Sequence, residues 1–193
     1  MKATEILIAE HRLIERVLDT LQEGAQQLAA RQPVPAGFFL DAADFIRNFA
    51  DRCHHQKEEG VLFKTMVEHG FPQDQGPIAV MLFEHEQGRG FTSALAEAAA
   101  RFERGDESAR EEVVMNALAY VSLLRQHIQK ENNILFRMAD NVIPPAEHAA
   151  VEAGFARVER EEIGHGVHEK YEALAVALRD QIEATSYSMV SGA

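Results

Sequence analysis

Apolar positions along the chain recur at helical spacing, in long runs broken by few glycines and prolines, and almost nothing alternates as a strand would. The first run predicts a helix from about Thr4, read as its N-cap, to near Arg31, with Pro33 and Pro35 in the turn beyond. The second extends from about Ala36 to His69 and stops at Gly70, with Pro72 just after it. Pro77 suits the first turn of a third helix, which ends at Gly105. Asp106 caps a fourth, which reaches about Asn141, and Pro144 and Pro145 open a fifth segment to about Ala184. Gly154, Gly164 and Gly166 make that segment the least regular. Four long helices with short connections predict an all-α, antiparallel up-down-up-down four-helix bundle over 1–143. An extra C-terminal helical segment, 144–185, is expected to pack on it, and the tail SYSMVSGA, 186–193, to be disordered.

The second helix carries two apolar strips. At about 100° per residue, Leu40, Ala43, Ala50 and Val61 share the side of His54 and form the inward stripe. Phe45, Phe49, Cys53, Phe63 and Val67 lie roughly opposite. A simple four-helix bundle would leave that second strip in water. Either the fifth segment covers it or a second subunit does, in a homodimer.

Charge and cysteine usage narrow the function classes. The chain has 31 Asp and Glu against 19 Lys and Arg, a formal net charge of −12. That balance disfavours nucleic acid, whose affinity rests on neutralising phosphates, and an anionic membrane surface. One cysteine, Cys53, excludes an internal disulfide, fits a reducing compartment and reads as a small buried thiol. No run approaches the roughly 20 apolar residues of a membrane span. The N-terminal stretch MKATEILIAEHR carries Glu5 and Glu10, unlike a secretory signal, so a cytoplasmic location is expected.

Candidate chemistry enters through a repeat. Residues 54–63 read HHQKEEGVLF and residues 127–136 read HIQKENNILF, the pattern His-x-Gln-Lys-Glu-x-x-x-Leu-Phe twice, 73 positions apart. Each copy follows a Glu-His pair, Glu10-His11 or Glu84-His85, by 43 or 42 positions from histidine to histidine. The chain thus carries a duplicated two-helix unit. Measured along the helices, His11 and His54 sit at one level, roughly 30 Å from their shared turn, and His85 and His127 match in the same way. The turn between the second and third helices matches less well, and its connection has to climb the difference. His54 with Glu58 and His127 with Glu131 are i,i+4 pairs, so each pair projects from one side of its helix. His11, His54, Glu58, His85, His127 and Glu131 would then converge in the core. Imidazole with carboxylate and no thiolate suits iron, manganese or zinc. Four imidazoles and two carboxylates are too many for one tetrahedral ion and fit two, with the glutamates bridging.

This H…HxxxE…H…HxxxE pattern, over about residues 4–141, resembles hemerythrin-like proteins with the HHE cation-binding domain. The resemblance implies an antiparallel four-helix bundle around a non-haem di-iron centre, two iron ions with an oxo or hydroxo bridge. It places the ligands at His11, His54, Glu58, His85, His127 and Glu131. It implies chemistry on O2, NO or H2O2, as sensing, scavenging or redox conversion, with a redox partner. The alternatives are an iron donor for iron-sulfur cluster repair and a metal-poor helical interaction module. Ferritin-like di-iron bundles use Glu-x-x-His pairs instead. One position departs from the oxygen carriers: they have a second histidine one turn after the third-helix histidine, and here it is Arg89. His55 and Glu59 offer an alternative frame for the first motif; alignment with the second copy selects His54 and Glu58 and puts His55 about 100° away, toward the surface.

The fifth segment holds EREEIGHGVHEKYE, residues 159–172, with Glu161, Glu162, His165 and His168 at helical spacings. It reads either as a salt-bridged, solvated helix bent at its glycines or as a cover over the bundle opening. In the second case it supplies the missing ligand or a proton-handling group. His69 suits a helix C-terminus, His148 is expected at the surface, and Tyr120 reads as packing near His127.

Overall fold

The computed structural model describes residues 2–164 and 166–191, with the side chains of 162, 163 and 186–191 left aside. The described residues form helices joined by short turns, in four long rods and a C-terminal pair. The first rod is α1 (Ala3–Ala29). The second is a composite of α2 (Phe38–Phe45), two π-helical stretches (Ile46–His55 and Glu58–Leu62) and α3 (Phe63–Glu68). The third is α4 (Gly76–Glu103). The fourth joins α5 (Arg110–Lys130), a π-helical stretch (Glu131–Leu135) and α6 (Phe136–Val142). The chain ends in α7 (His148–Val158), a π-helical turn (Glu159–Ile163) and α8 (Val167–Ser191). The antiparallel bundle of the sequence reading is therefore present, with a C-terminal helical addition.

The rods form a ring in which α1 packs on α5, α5 on α4, and α4 on the second rod. Helices α7 and α8 lie along the seam between the first and second rods. This covers part of the second apolar strip: Phe45 and Phe49 stack on each other and meet Tyr171 of α8, whose hydroxyl donates to Asp44 Oδ2 at 3.0 Å, whereas Phe63 stacks on His85 of the third rod. Close approach on the α7 side needs Gly154, because a Cβ there would sit 2.6 Å from Val61 Cγ1. The fifth segment is two helices rather than one. Gly164 (φ 98°) and Gly166 (φ 77°) take left-handed backbone that other residues rarely adopt, and the break falls there. No glycine or proline interrupts α8 before Gly192, and it continues to Ser191, into the tail that the sequence reading left disordered.

Two local readings change. Lys2, not Thr4, holds the N-cap position of α1; the Thr4 hydroxyl instead donates to Asp140 Oδ1 at 2.7 Å, tying the first rod to the fourth. His148 is buried, because the chain folds back onto the N-terminus and the Ala3 N–H donates to its Nδ1. The reach problem between the second and third rods resolves when Glu58 is the reference. Ten positions separate Glu58 from the end of α3 at Glu68, and nine separate Gly76 from His85.

Two apolar clusters fill the interior. One runs from Leu13 and Phe38 to Leu178 and Ile182; the other gathers Leu7, Leu62, Phe63, Ile78, Phe136 and Phe155. The layer of histidines and glutamates lies between them.

Candidate metal centre

Each of the six residues from the repeat is buried, at no more than 1% exposure. Glu58 approaches His54 Nε2 (3.5 Å) and His85 Nε2 (3.4 Å). Glu131 approaches His127 Nε2 (3.1 Å) with one oxygen and His11 Nε2 (3.2 Å) with the other. Each carboxylate thus spans the two halves of the repeat. Two groups of ligand atoms result, each with all atoms within 4.8 Å of one another. His11, His54, Glu58 and Glu131 make one; His55, Glu58, His85 and His127 make the other.

The outward nitrogens of the rings fix the inward ones. His54 Nδ1 donates to Glu10 Oε2 (2.9 Å) and His127 Nδ1 to Glu84 Oε2 (2.9 Å). His11 Nδ1 donates to Asn132 Oδ1 (2.8 Å) and His85 Nδ1 to Glu59 Oε1 (2.7 Å). A neutral imidazole carrying its proton on Nδ1 presents a lone pair at Nε2. All four Nε2 atoms therefore face the layer as donors to a cation. Lys57 in turn bonds Glu10 and Lys130 bonds Glu84. The repeated motif thus encodes more than the six inward groups. Its Glu-His glutamate orients the histidine of the neighbouring helix, and its lysine holds that glutamate. Sequence reasoning quoted Glu10, Glu84, Lys57 and Lys130 within the repeat but gave them no role.

The residues present fit metal ions. Among the described residues, eight buried side-chain nitrogen or oxygen atoms make no hydrogen bond; six are both oxygens of Glu58, both oxygens of Glu131, and Nε2 of His11 and His54. Orphaned polar atoms of that number in one layer would be costly without positive charge among them. His85 Nε2 and His127 Nε2 also meet at 3.0 Å, a contact that a shared proton or a cation has to bridge. Electrostatics state the same demand. Burial and the Glu131 carboxylate push Glu58 well above the usual carboxylate range. Burial also disfavours charge on Glu131, but His127 and His11 outweigh it and hold that carboxyl low. His127 is carried up to about 9 by Glu131 and Glu84 against its burial, while burial and His11 press His54 down to about 3. Protons on Glu58 and His127 serve where cations would.

His55 is a correction. The sequence reading turned it toward the surface; it is buried, its ring stacked on His85 at 3.8 Å between centroids and 13° between planes. The reason lies in the π-helical stretch Ile46–His55, which has more residues per turn than an α-helix and so turns fewer degrees at each. Consecutive residues then stay nearer one face.

Arg89 carries no ligand atom for a cation. Its guanidinium clamps Asp51 (2.9 Å) and Glu59 (2.6 Å). Beside it a cavity of about 130 Å³ reaches the site, lined by Asp51, His55, His85, Gly88, Arg89 and Tyr120. Tyr120 is packed in the core, as read, and also walls this cavity with a hydroxyl that makes no hydrogen bond. Cys53 is a buried thiol, pushed up to about 11 by burial.

Of the C-terminal candidates, Glu161 and His168 lie outside both buried groups. Glu161 is exposed beside Arg160, and His168 packs edge-on against Phe49 and pairs with Glu172 (3.6 Å). The side chain of Glu162 and the whole of His165 fall outside the described residues. The segment reaches the site through Glu159, which bonds Lys57. Glu10, Glu159 and His168 gather within ligand distance of one another, but the Lys57 ammonium already bonds both carboxylates.

The Hemerythrin HHE cation binding domain matches residues 2–139. Uncharacterized proteins of Mycobacterium bovis and of two strains of Mycobacterium tuberculosis are 26% identical over 162 residues, 84% of this chain. The chain spans about 63% of the length of these curated relatives. No solved structure matches it significantly. Among the described residues no helix is long and apolar enough to cross a membrane.

Proposed function

The chain belongs to the hemerythrin HHE cation-binding family, and on that premise we propose that its buried His/Glu layer holds two iron ions and acts on or senses O2, NO or H2O2. The observation that carries this reading is the set of six partnerless buried atoms from Glu58, Glu131, His11 and His54, facing the Nε2 atoms of His85 and His127. His11 and His54 would hold one ion, His85 and His127 the other, and Glu58 and Glu131 would be shared. Donors of imidazole and carboxylate suit iron among redox metals. Bound iron would supply one-electron chemistry at a site the protein keeps dry. The chain's own part is to fix four imidazole tautomers, exclude bulk water with two apolar clusters, and leave the cavity beside Arg89 as the approach for a small molecule.

Metal analysis of the purified protein, with its absorption spectrum before and after reduction, tests the reading. About two irons per chain and a near-ultraviolet absorption lost on reduction are expected. One zinc, or no metal after iron-supplemented expression, would sink it. His54→Ala and Glu58→Ala should each lower iron content; unchanged content in both would overturn the ligand assignment.

A further inference from the structure

We infer that His55 is a fifth imidazole ligand, bound to the ion of His85, His127 and Glu58 in place of the donor that Arg89 does not supply. The inference rests on the two-iron reading and adds a residue to it. His55 has what the other four histidines have. It is buried at 3% exposure, and its Nδ1 faces an acceptor oxygen, Asp51 Oδ1 at 3.4 Å, which leaves Nε2 as the lone-pair nitrogen. It also offers a ligand atom within 4.8 Å of those of Glu58, His85 and His127.

The repeat sharpens the point, because His55 breaks it. The counterpart of His55, 73 positions on, is Ile128, a core residue. The π-helical stretches at Glu58–Leu62 and Glu131–Leu135 are counterparts of each other, whereas Ile46–His55 is π-helical and its counterpart lies in α5. The unmatched widening of the helix therefore occurs where the unmatched histidine turns inward. Arg89 supports the same arrangement. It clamps Asp51, which faces His55, and Glu59, which accepts from His85, so one guanidinium steadies both rings on this side. A positive side chain one turn beyond His85 would be a poor neighbour for a cation unless carboxylates took up its charge, and these two do.

His55→Phe separates ligation from stacking, since the phenyl ring can still lie against His85 but offers no nitrogen. Anaerobic iron(II) titration of the metal-free full chain, with cobalt(II) absorption as a second readout, measures the effect. Wild type should bind two ions; His55→Phe should keep the first and bind the second at least about tenfold more weakly, with a changed cobalt spectrum. Two ions at wild-type affinity with an unchanged spectrum would overturn the inference. If His55→Phe fails to fold, His55→Ala with added imidazole replaces it: recovery of the second ion supports ligation, and no recovery refutes it. Should wild type bind a single ion, the two-iron reading falls by itself. His55 is then judged on that ion, where a tenfold loss in the variant supports ligation and no loss refutes it.

Discussion

Glu10→Gln probes how the ion pairs outside the His/Glu layer hold it in place. Glu10 is 4% exposed, accepts from His54 Nδ1 and is bonded by Lys57, which is fully buried. Burial disfavours its charge, yet His54 and Lys57 together bring its carboxyl down to about 2 from 4.5. At 1.36 kcal/mol per pH unit that difference is about 3 kcal/mol of stability at neutral pH. For a carboxyl depressed in the fold the contribution is complete above pH 4.5 and is lost as the pH falls toward 2. In metal-free protein, Glu10→Gln should therefore lower stability by about 3 kcal/mol, or Tm by roughly 6–12 °C for a chain of this size. Lys57→Met should do comparable harm by stranding the Glu10 charge. The double variant strands neither partner, because Glu159 is half-exposed and can turn to water. Its loss should fall short of the sum of the single losses by about 1.5 kcal/mol or more. Circular-dichroism melts of the four proteins at pH 7 complete the cycle. Single losses that add within about 0.5 kcal/mol would show that Glu10 and Lys57 are not coupled, and the account of the repeat as an ordered chain of partners would fail.

Three further outcomes follow from the same geometry. Glu58→Gln should leave the metal-free protein as stable as wild type or more so, because burial and Glu131 already hold Glu58 protonated. It should also remove the rise in Tm that iron(II) gives wild type; an equal rise in the variant would count against Glu58 as a ligand. For pH, burial lowers His54 and His55 to about 3 and lowers His85, whereas burial and Glu131 raise Glu58. Between about pH 4.5 and 6 the unfolded chain then binds more protons than the fold, at least about one net from His54 and His55 against Glu58, so metal-free stability should fall by about 1.4 kcal/mol or more for each pH unit downward. Urea midpoints that stay flat over that window would contradict it. Gly154→Ala should cost about 1–3 kcal/mol by driving a Cβ into Val61, and Val61→Ala in the same chain should recover part of it, as read by chemical denaturation.

The bundle and its six inward groups were legible because duplication writes the same contacts twice. A repeated His-x-Gln-Lys-Glu with a Glu-His pair at matched reach leaves little choice of which faces meet. The orienting residues were legible in principle: Glu10, Glu84, Lys57 and Lys130 stand inside the repeat, and a repeated residue that does not face inward has to serve one that does. His55 was hidden for a different reason. Angular placement assumed α-helical turns, and a π-helical stretch changes the hydrogen-bond register without changing the apolar pattern that a sequence displays. His148 and Thr4 were misplaced because their partners, Ala3 and Asp140, are more than 130 positions away and no local pattern records that approach. Gly154 was seen only as an irregularity; the demand for a missing side chain comes from Val61, on another rod.

Where the two halves of the repeat differ, they differ on one side of the layer. Asp51, His55 and Glu59 correspond to Leu124, Ile128 and Asn132. Arg89, by the spacing of His11 to His85, corresponds to Glu15, an exposed residue. Beyond the matched Glu10–Lys57 and Glu84–Lys130 pairs, the His11 half is thus walled by apolar side chains and a neutral amide, while the His85 half carries two carboxylates, a guanidinium and an extra imidazole. The cavity beside Arg89 opens on that second half and touches His55 and His85. Two ions held by matched histidines and shared glutamates would therefore be unequal: one enclosed, the other beside a polar cavity with hydrogen-bonding groups at its wall. A small molecule acting at this centre would meet the His85 side first, and the departures from the repeat, more than the repeat itself, would set what it finds there.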